Sequence, residues 1–200
     1  YELLNVLIHK QLGFIAPRTA LVNVKIGGEI YKALFQEDIT KELLEHNGLH
    51  EAIMIEGDEG YRPFTNPKIA NLKLINGDYF NAIARDVLEI LSRVYLKTNQ
   101  DSLNFKKSTF FAAQQGDRDQ PLLIDYLPID SQANFVSFHL LNYALMSRDG
   151  LSRDDHRMVY DHISRKFSPI FYDGHYKPAG YSTDVNFSFT DQQRRLLIND

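Results

Sequence analysis

The sequence contains no cysteine. That absence excludes a disulfide framework and any metal site built on thiolates, and it fits the cytosol and a bacterial cell envelope equally well. No apolar run comes near the roughly 18 residues that a membrane-spanning helix needs. A surplus of positive charge is missing too, since the formal net charge is -4 and a general nucleic-acid binder is expected to carry a basic face. There is no GxxxxGK[ST], no GxSxG and no HExxH, which speaks against a P-loop NTPase, an α/β-hydrolase elbow and a zincin. Internal repeats and low-complexity blocks are lacking as well. What remains is ordinary globular material: 200 residues, 44% hydrophobic and 24% charged, enough for one large domain or two small lobes. The chain begins at Tyr1 inside an expected helix, without a methionine, so it reads as a segment of a longer protein with any targeting peptide upstream.

Periodicity places the elements. Residues 2–12 put Leu3, Leu4, Leu7 and Ile8 on one helical stripe that stops at Gly13. Val22, Val24 and Ile26 alternate with Asn23 and Lys25, Gly27-Gly28 suits a primed turn, and a second strand runs from Ile30 to Gln36. Asp38 is placed to cap a short helix over 39–46 that ends at Asn47-Gly48. From Glu51 to Lys68 the chain is acidic and reads as an irregular linker or surface loop. Residues 78–96 give the strongest helix, with Phe80, Ile83, Ala84, Val87, Leu88, Leu91, Val94 and Tyr95 on its apolar side. Residues 103–115 are weakly helical, 116–121 read as a loop and 122–128 are ambiguous. A second good helix covers 131–147, capped by Asp130 or Ser131, with Phe135, Phe138, Leu141 and Leu145 inward. Beyond Lys177 the composition reads as an irregular tail with a short helix near "TDQQRRLL".

The chemistry concentrates in "RDGLSRDDHRMVYDHISRKFSPIFYDGH". A loop carrying Asp149, Asp154, Asp155 and His156 precedes a strand, and a second strand ends at Asp173-Gly174. The pairing of these strands brings the loop and Asp173 to neighbouring positions. Clustered carboxylates repel one another unless a hard cation neutralises them, and such a site suits Mg²⁺ with a nucleotide phosphate. Each residue also has a plainer reading. Asp-Gly is a common turn dipeptide. Asp154 and Asp155 also fit as solvated loop charges, His156 as a cap of the following strand, and Glu37 as the partner of a surface lysine. Glu56-Gly57-Asp58-Glu59 reads as a solvated acidic loop, and His46 and His50 show no partner pattern.

The stretches "LGFIAPRTALVNVKIGGEIYKALFQEDITKELLE" and "RDDHRMVYDHISRKFSPIFYDG" together resemble the CotH kinase family, atypical protein kinases named for a spore coat protein. The resemblance rests on Leu12-Gly13, Pro17-Arg18, the Val22–Tyr31 hairpin and Glu37 in the first stretch. In the second it rests on Arg157, Tyr160-Asp161, Pro169-Ile170 and Tyr172-Asp173. HipA-type kinases share the general "D-x-H…YD" layout. The resemblance covers residues of about 10–50 and 135–175, and it departs from the family at His156, where an asparagine is expected. Imidazole is a poorer Mg²⁺ ligand than an amide oxygen.

What the resemblance implies is an α+β, partial protein-kinase-like two-lobe fold, an N-terminal hairpin joined to a mainly helical large lobe. Residues 1–50 would be the remnant of the small lobe, 51–77 a linker and acidic loop, and 78–200 the large lobe with its catalytic hairpin. The implied reaction moves phosphate from an ATP–Mg²⁺ complex to a protein or cell-envelope acceptor. Asp173 and His156 would hold the metal, Asp154 or Asp155 would act as base, and Lys25 and Glu37 would contact the nucleotide. Lys32 shares the hairpin with Lys25. The expected setting is the bacterial cell envelope, with no nucleic-acid partner and no membrane span. Two other readings stay open: a pseudokinase or coat and envelope assembly module that keeps the fold without turnover, and a metal-dependent phosphoester hydrolase.

Overall fold

The structure is a computed structural model that describes residues 1–56, 68–71, 77–103, 127–147 and 156–174. These residues form an α+β fold with two antiparallel sheets. In chain order the elements are α1 (Glu2–Gln11), β1 (Thr19–Ile26), β2 (Glu29–Gln36), α2 (Lys41–His46), β3 (Ile53–Glu56), β4 (Lys68–Ile69), α3 (Asp78–Leu103), α4 (Ile129–Ala144), β5 (Arg157–Asp161) and β6 (Lys166–Ile170). Among the described residues no helix is long and apolar enough to cross a membrane.

The β1–β2 hairpin forms as its turn chemistry requires. Gly27 and Gly28 both take positive φ, at 59° and 96°, as a two-residue primed turn demands of its central positions. That turn fixes the register from Ile26↔Glu29 through to Thr19↔Gln36. The second sheet has the order β4-β3-β5-β6. Its core strand lies in the stretch that reads from sequence as an acidic, irregular linker. Residues 53–56 instead pair with β5 on one side and β4 on the other. The reason is burial on both faces. Ile53 and Ile55 join Met158, Phe167, Phe171 and the inner sides of α3 and α4 in one cluster. Ala52 and Met54 join Leu43 and Leu44 of α2, with Val159 and Ile170, in the other. A strand covered on both faces loses the apolar–polar alternation that marks a strand in sequence.

The helices hold three further differences. In α1 the buried residues are Asn5, Val6 and His9, while Leu4 and Leu7 are exposed, so the leucine stripe does not face the core. Burial of the His9 ring is tolerated because both of its nitrogens are hydrogen-bonded. His9 Nδ1 donates to the Asn5 carbonyl at 2.7 Å, and its Nε2 accepts from Asn142 Nδ2 at 3.1 Å. α2 starts after Thr40, and Asp38 instead accepts the Ile39 amide at 2.8 Å. α4 starts two residues early, at Ile129, which puts Ser131 inside the helix; its Oγ accepts the Phe167 amide at 2.9 Å and ties α4 to β6. α3 keeps the expected stripe, with Ala84, Val87 and Leu91 buried and Phe80, Ile83 and Leu88 packed against them.

Candidate functional site

Antiparallel pairing gathers one end of the four-stranded sheet. β3 ends at Glu56 opposite the first residue of β5, Arg157, which in turn faces Ile170 at the end of β6; Lys68 begins β4 beside Glu56. A row of alternating charge crosses the strands there. The Glu56 carboxylate lies 3.3 Å from Lys68 Nζ and 3.4 Å from Arg157 Nε. The Arg157 guanidinium sits 5.6 Å from the centre of the Tyr172 ring.

Beyond β6 the chain continues as Phe171, Tyr172, Asp173 and Gly174. Phe171 is anchored twice: its amide donates to the Ile15 carbonyl at 2.8 Å, and its ring stacks on His9 with centroids 3.9 Å apart. Burial pushes His9 down to about 4, so at neutral pH the stacked imidazole is uncharged. Asp173 then turns the chain itself, with φ of 49° in the left-handed region. Aspartate is one of the few non-glycine residues that take this region readily, as a short polar side chain that can bond locally. The turn thus falls at Asp173, not at the glycine after it. Gly174 is required for another reason: a Cβ would collide with Ser147 Oγ and the Phe171 ring. The same Ser147 Oγ donates to the Gly174 carbonyl at 2.9 Å, clamping the end of α4 to the segment that carries Asp173.

The electrostatics of Tyr172 map what surrounds it. Its phenol is raised above the ordinary tyrosine value, by burial first, then by the carboxylates of Asp38, Asp173 and Glu56, with Arg157 pulling the other way. Three carboxylates from three separate segments therefore act on one hydroxyl. A hard divalent cation such as Mg²⁺ takes oxygen donors, but the ligand atoms of these three carboxylates do not all lie within 4.8 Å of one another, so they are not a ready-made ligand set. His156 fits as a Mg²⁺ ligand less well, because it is buried to 1% exposure with its ring 5.8 Å from that of Phe135.

The other sequence-derived candidates separate. Glu37 is buried and bound to Arg18, accepting its backbone amide at 3.0 Å and its Nε at 2.9 Å. Burial pushes the Glu37 carboxyl up, but the hydrogen bonds and charge of Arg18 outweigh it and hold the group below the ordinary range. This pair closes the open end of the β1–β2 hairpin. Lys25 stands exposed opposite Ile30, next to the turn, and Lys32 lies opposite Asn23. No ion pair among the described residues joins Lys25 to Glu37 or Asp173. Asp149, Asp154 and Asp155 lie outside the described residues, as do 57–59, the helix and loop readings over 104–126, and the tail beyond 174.

Sequence reasoning did not place Glu56 or Asp38 near Tyr172. For Glu56 a signal was present: the apolar run Ala52-Ile53-Met54-Ile55 immediately before an acid is the same pattern as Pro169-Ile170-Phe171-Tyr172 before Asp173. No protein-family model and no curated protein matches this chain.

Proposed function

We propose that this chain is a CotH-like atypical kinase domain that moves phosphate from an ATP–Mg²⁺ complex to a protein or cell-envelope acceptor. The observation that carries the reading is Asp173, held in a left-handed turn at the end of a buried strand with Asp38 and Glu56 acting on the same neighbouring phenol. In this reading Asp173 binds Mg²⁺ against the phosphates. The acceptor hydroxyl loses its proton to Asp154 or Asp155, its oxygen bonds the γ-phosphorus, and the β–γ bridging bond breaks with ADP as leaving group. Rigid placement suits that chemistry, since catalysis there rests on positioning and on neutralising charge. Arg157 and Lys68 keep the Glu56 carboxylate balanced when no cation is bound.

A second reading, a catalytically weak pseudokinase or an assembly module, draws on a separate observation. Glu37 is engaged by Arg18 and not by a hairpin lysine, and His156 is buried in the core. Incubation with γ-labelled ATP, Mg²⁺ and candidate envelope proteins distinguishes the two. Label transfer that disappears in Asp173→Asn supports the kinase. Mg²⁺-dependent nucleotide binding without transfer supports the pseudokinase, and neither binding nor transfer removes the kinase and leaves the assembly module.

A further inference from the structure

The opposite end of the β5–β6 hairpin carries a second constellation with different chemistry. We infer that His50, Asp161 and His162 form a site for a divalent transition-metal ion of the Zn²⁺ or Co²⁺ type. His50 sits in the segment between α2 and β3, Asp161 closes β5, and His162 opens the turn to β6. Each offers one ligand atom, and the three atoms lie within 4.8 Å of one another. Donors bound about 2.1 Å from a shared ion stand roughly 3.0–3.4 Å apart. His50 Nε2 and Asp161 Oδ1, at 2.9 Å, are already close to that edge length. The third ligand needs only a small side-chain movement.

The support around the three residues is what a metal site needs. Asp161 cannot swing away: its Oδ1 also accepts the Ile163 amide at 2.9 Å, and its Oδ2 accepts the Ser164 hydroxyl at 2.6 Å. Such bonds orient a ligating carboxylate and preset its geometry. The His162 ring is held edge-on to Phe80 and to His50, with centroids 5.0 and 5.7 Å apart. Its Nδ1 is buried with no hydrogen-bond partner among the described residues, a cost that a simple His50–Asp161 ion pair leaves unexplained. A cavity of about 120 Å³ opens beside the group, lined by His50, Asp161, Ser164 and Lys166 among others, and offers room for water in the remaining coordination positions.

Two imidazoles and one carboxylate select a borderline ion over Mg²⁺ or Ca²⁺, which favour all-oxygen shells. The site is therefore chemically distinct from the carboxylates around Tyr172, and its existence does not depend on kinase activity. A bound ion would tie the β5–β6 turn to the α2–β3 segment and so brace the hairpin that presents Asp173 at its far end.

Tag-free protein titrated with Co²⁺ and with Zn²⁺ tests this, with Mg²⁺ as the control. The expected result is one equivalent of Co²⁺ giving a visible ligand-field band, displacement of that band by Zn²⁺, and a higher Tm with Zn²⁺ but not with Mg²⁺. Because Asp161 also holds the turn, the variants are His50→Gln and His162→Gln, each weakening Zn²⁺ binding by about tenfold or more. Circular dichroism of both variants checks that they fold. Absence of a Co²⁺ band, or Zn²⁺ affinity unchanged in the folded double variant, overturns the site.

Discussion

The two sheets of this molecule are built on opposite terms. The β1–β2 hairpin has eight-residue strands and a glycine turn, yet Leu21 and Ile30 remain 65% and 71% exposed. The central strand of the other sheet, β3, has four residues, and Ile53, Met54 and Ile55 are all fully buried. The hairpin is encoded locally, because two neighbouring strands need only a turn of the right hand to pair. β3 is encoded by distant partners, since its neighbour β5 lies about a hundred residues along the chain. The candidate site sits on the second kind of structure, where packing on both faces fixes the backbone. The hairpin adds length and apolar surface but no described charge cluster beyond the Arg18–Glu37 closure.

The two sheets should differ most in the cost of core truncations. Ile53→Ala and Leu91→Ala should each cost about 2–5 kcal/mol, and Leu88→Ala, at a half-buried position of the same helix, should cost less than either. Urea melts of the three variants give the ranking. A hairpin-like tolerance at Ile53 would contradict the central placement of β3.

Acid should act next, through two histidines buried on α1 and α4. His9 is held near 4 in the folded protein against 6.5 when free, so the unfolded chain binds the extra proton in between. Stability is fully present above about pH 6.5 and is lost as pH falls towards 4, by on the order of 3 kcal/mol if no relaxation intervenes. His139, pushed by burial to about 3, adds to the loss in the same direction. Stability measured from pH 7 to pH 4 in wild type and His9→Asn should show the slope shrinking in the variant. An equal slope would mean that His9 is not the group that titrates.

The hairpin gives the smaller effects. Gly28→Ala forces a Cβ into a left-handed position at φ 96° and should cost about 1–2 kcal/mol. Leu21→Ala, on the exposed strand, should stay within about 0.5 kcal/mol by the same urea melts. A larger loss there would mean that the outer face of the hairpin is covered in the folded chain.

Legibility in the sequence follows the same division. Thr19 to Gln36 was readable because period-two alternation and Gly27-Gly28 are local signals. The α3 stripe was readable because a one-sided helix repeats at three and four. β3 was not, for its run 53–55 lacks alternation and its neighbouring acids suggested a loop. The α1 face was also hidden, since Asn5 and His9 become core residues only through Asn142 on α4. At the site, Asp173 stood out as an acid at the end of an apolar run. The other carboxylates that act on Tyr172, Glu56 and Asp38, depended on pairing and packing that no local pattern reports.

The most direct measurement is calorimetric titration of ATP into the protein with and without Mg²⁺, in wild type, Asp173→Asn and Leu21→Ala. A kinase-like site at Asp173 gives Mg²⁺-dependent binding in wild type, the same affinity in Leu21→Ala, and loss of binding in Asp173→Asn with the urea midpoint nearly unchanged. Equal affinities in wild type and Asp173→Asn would contradict it.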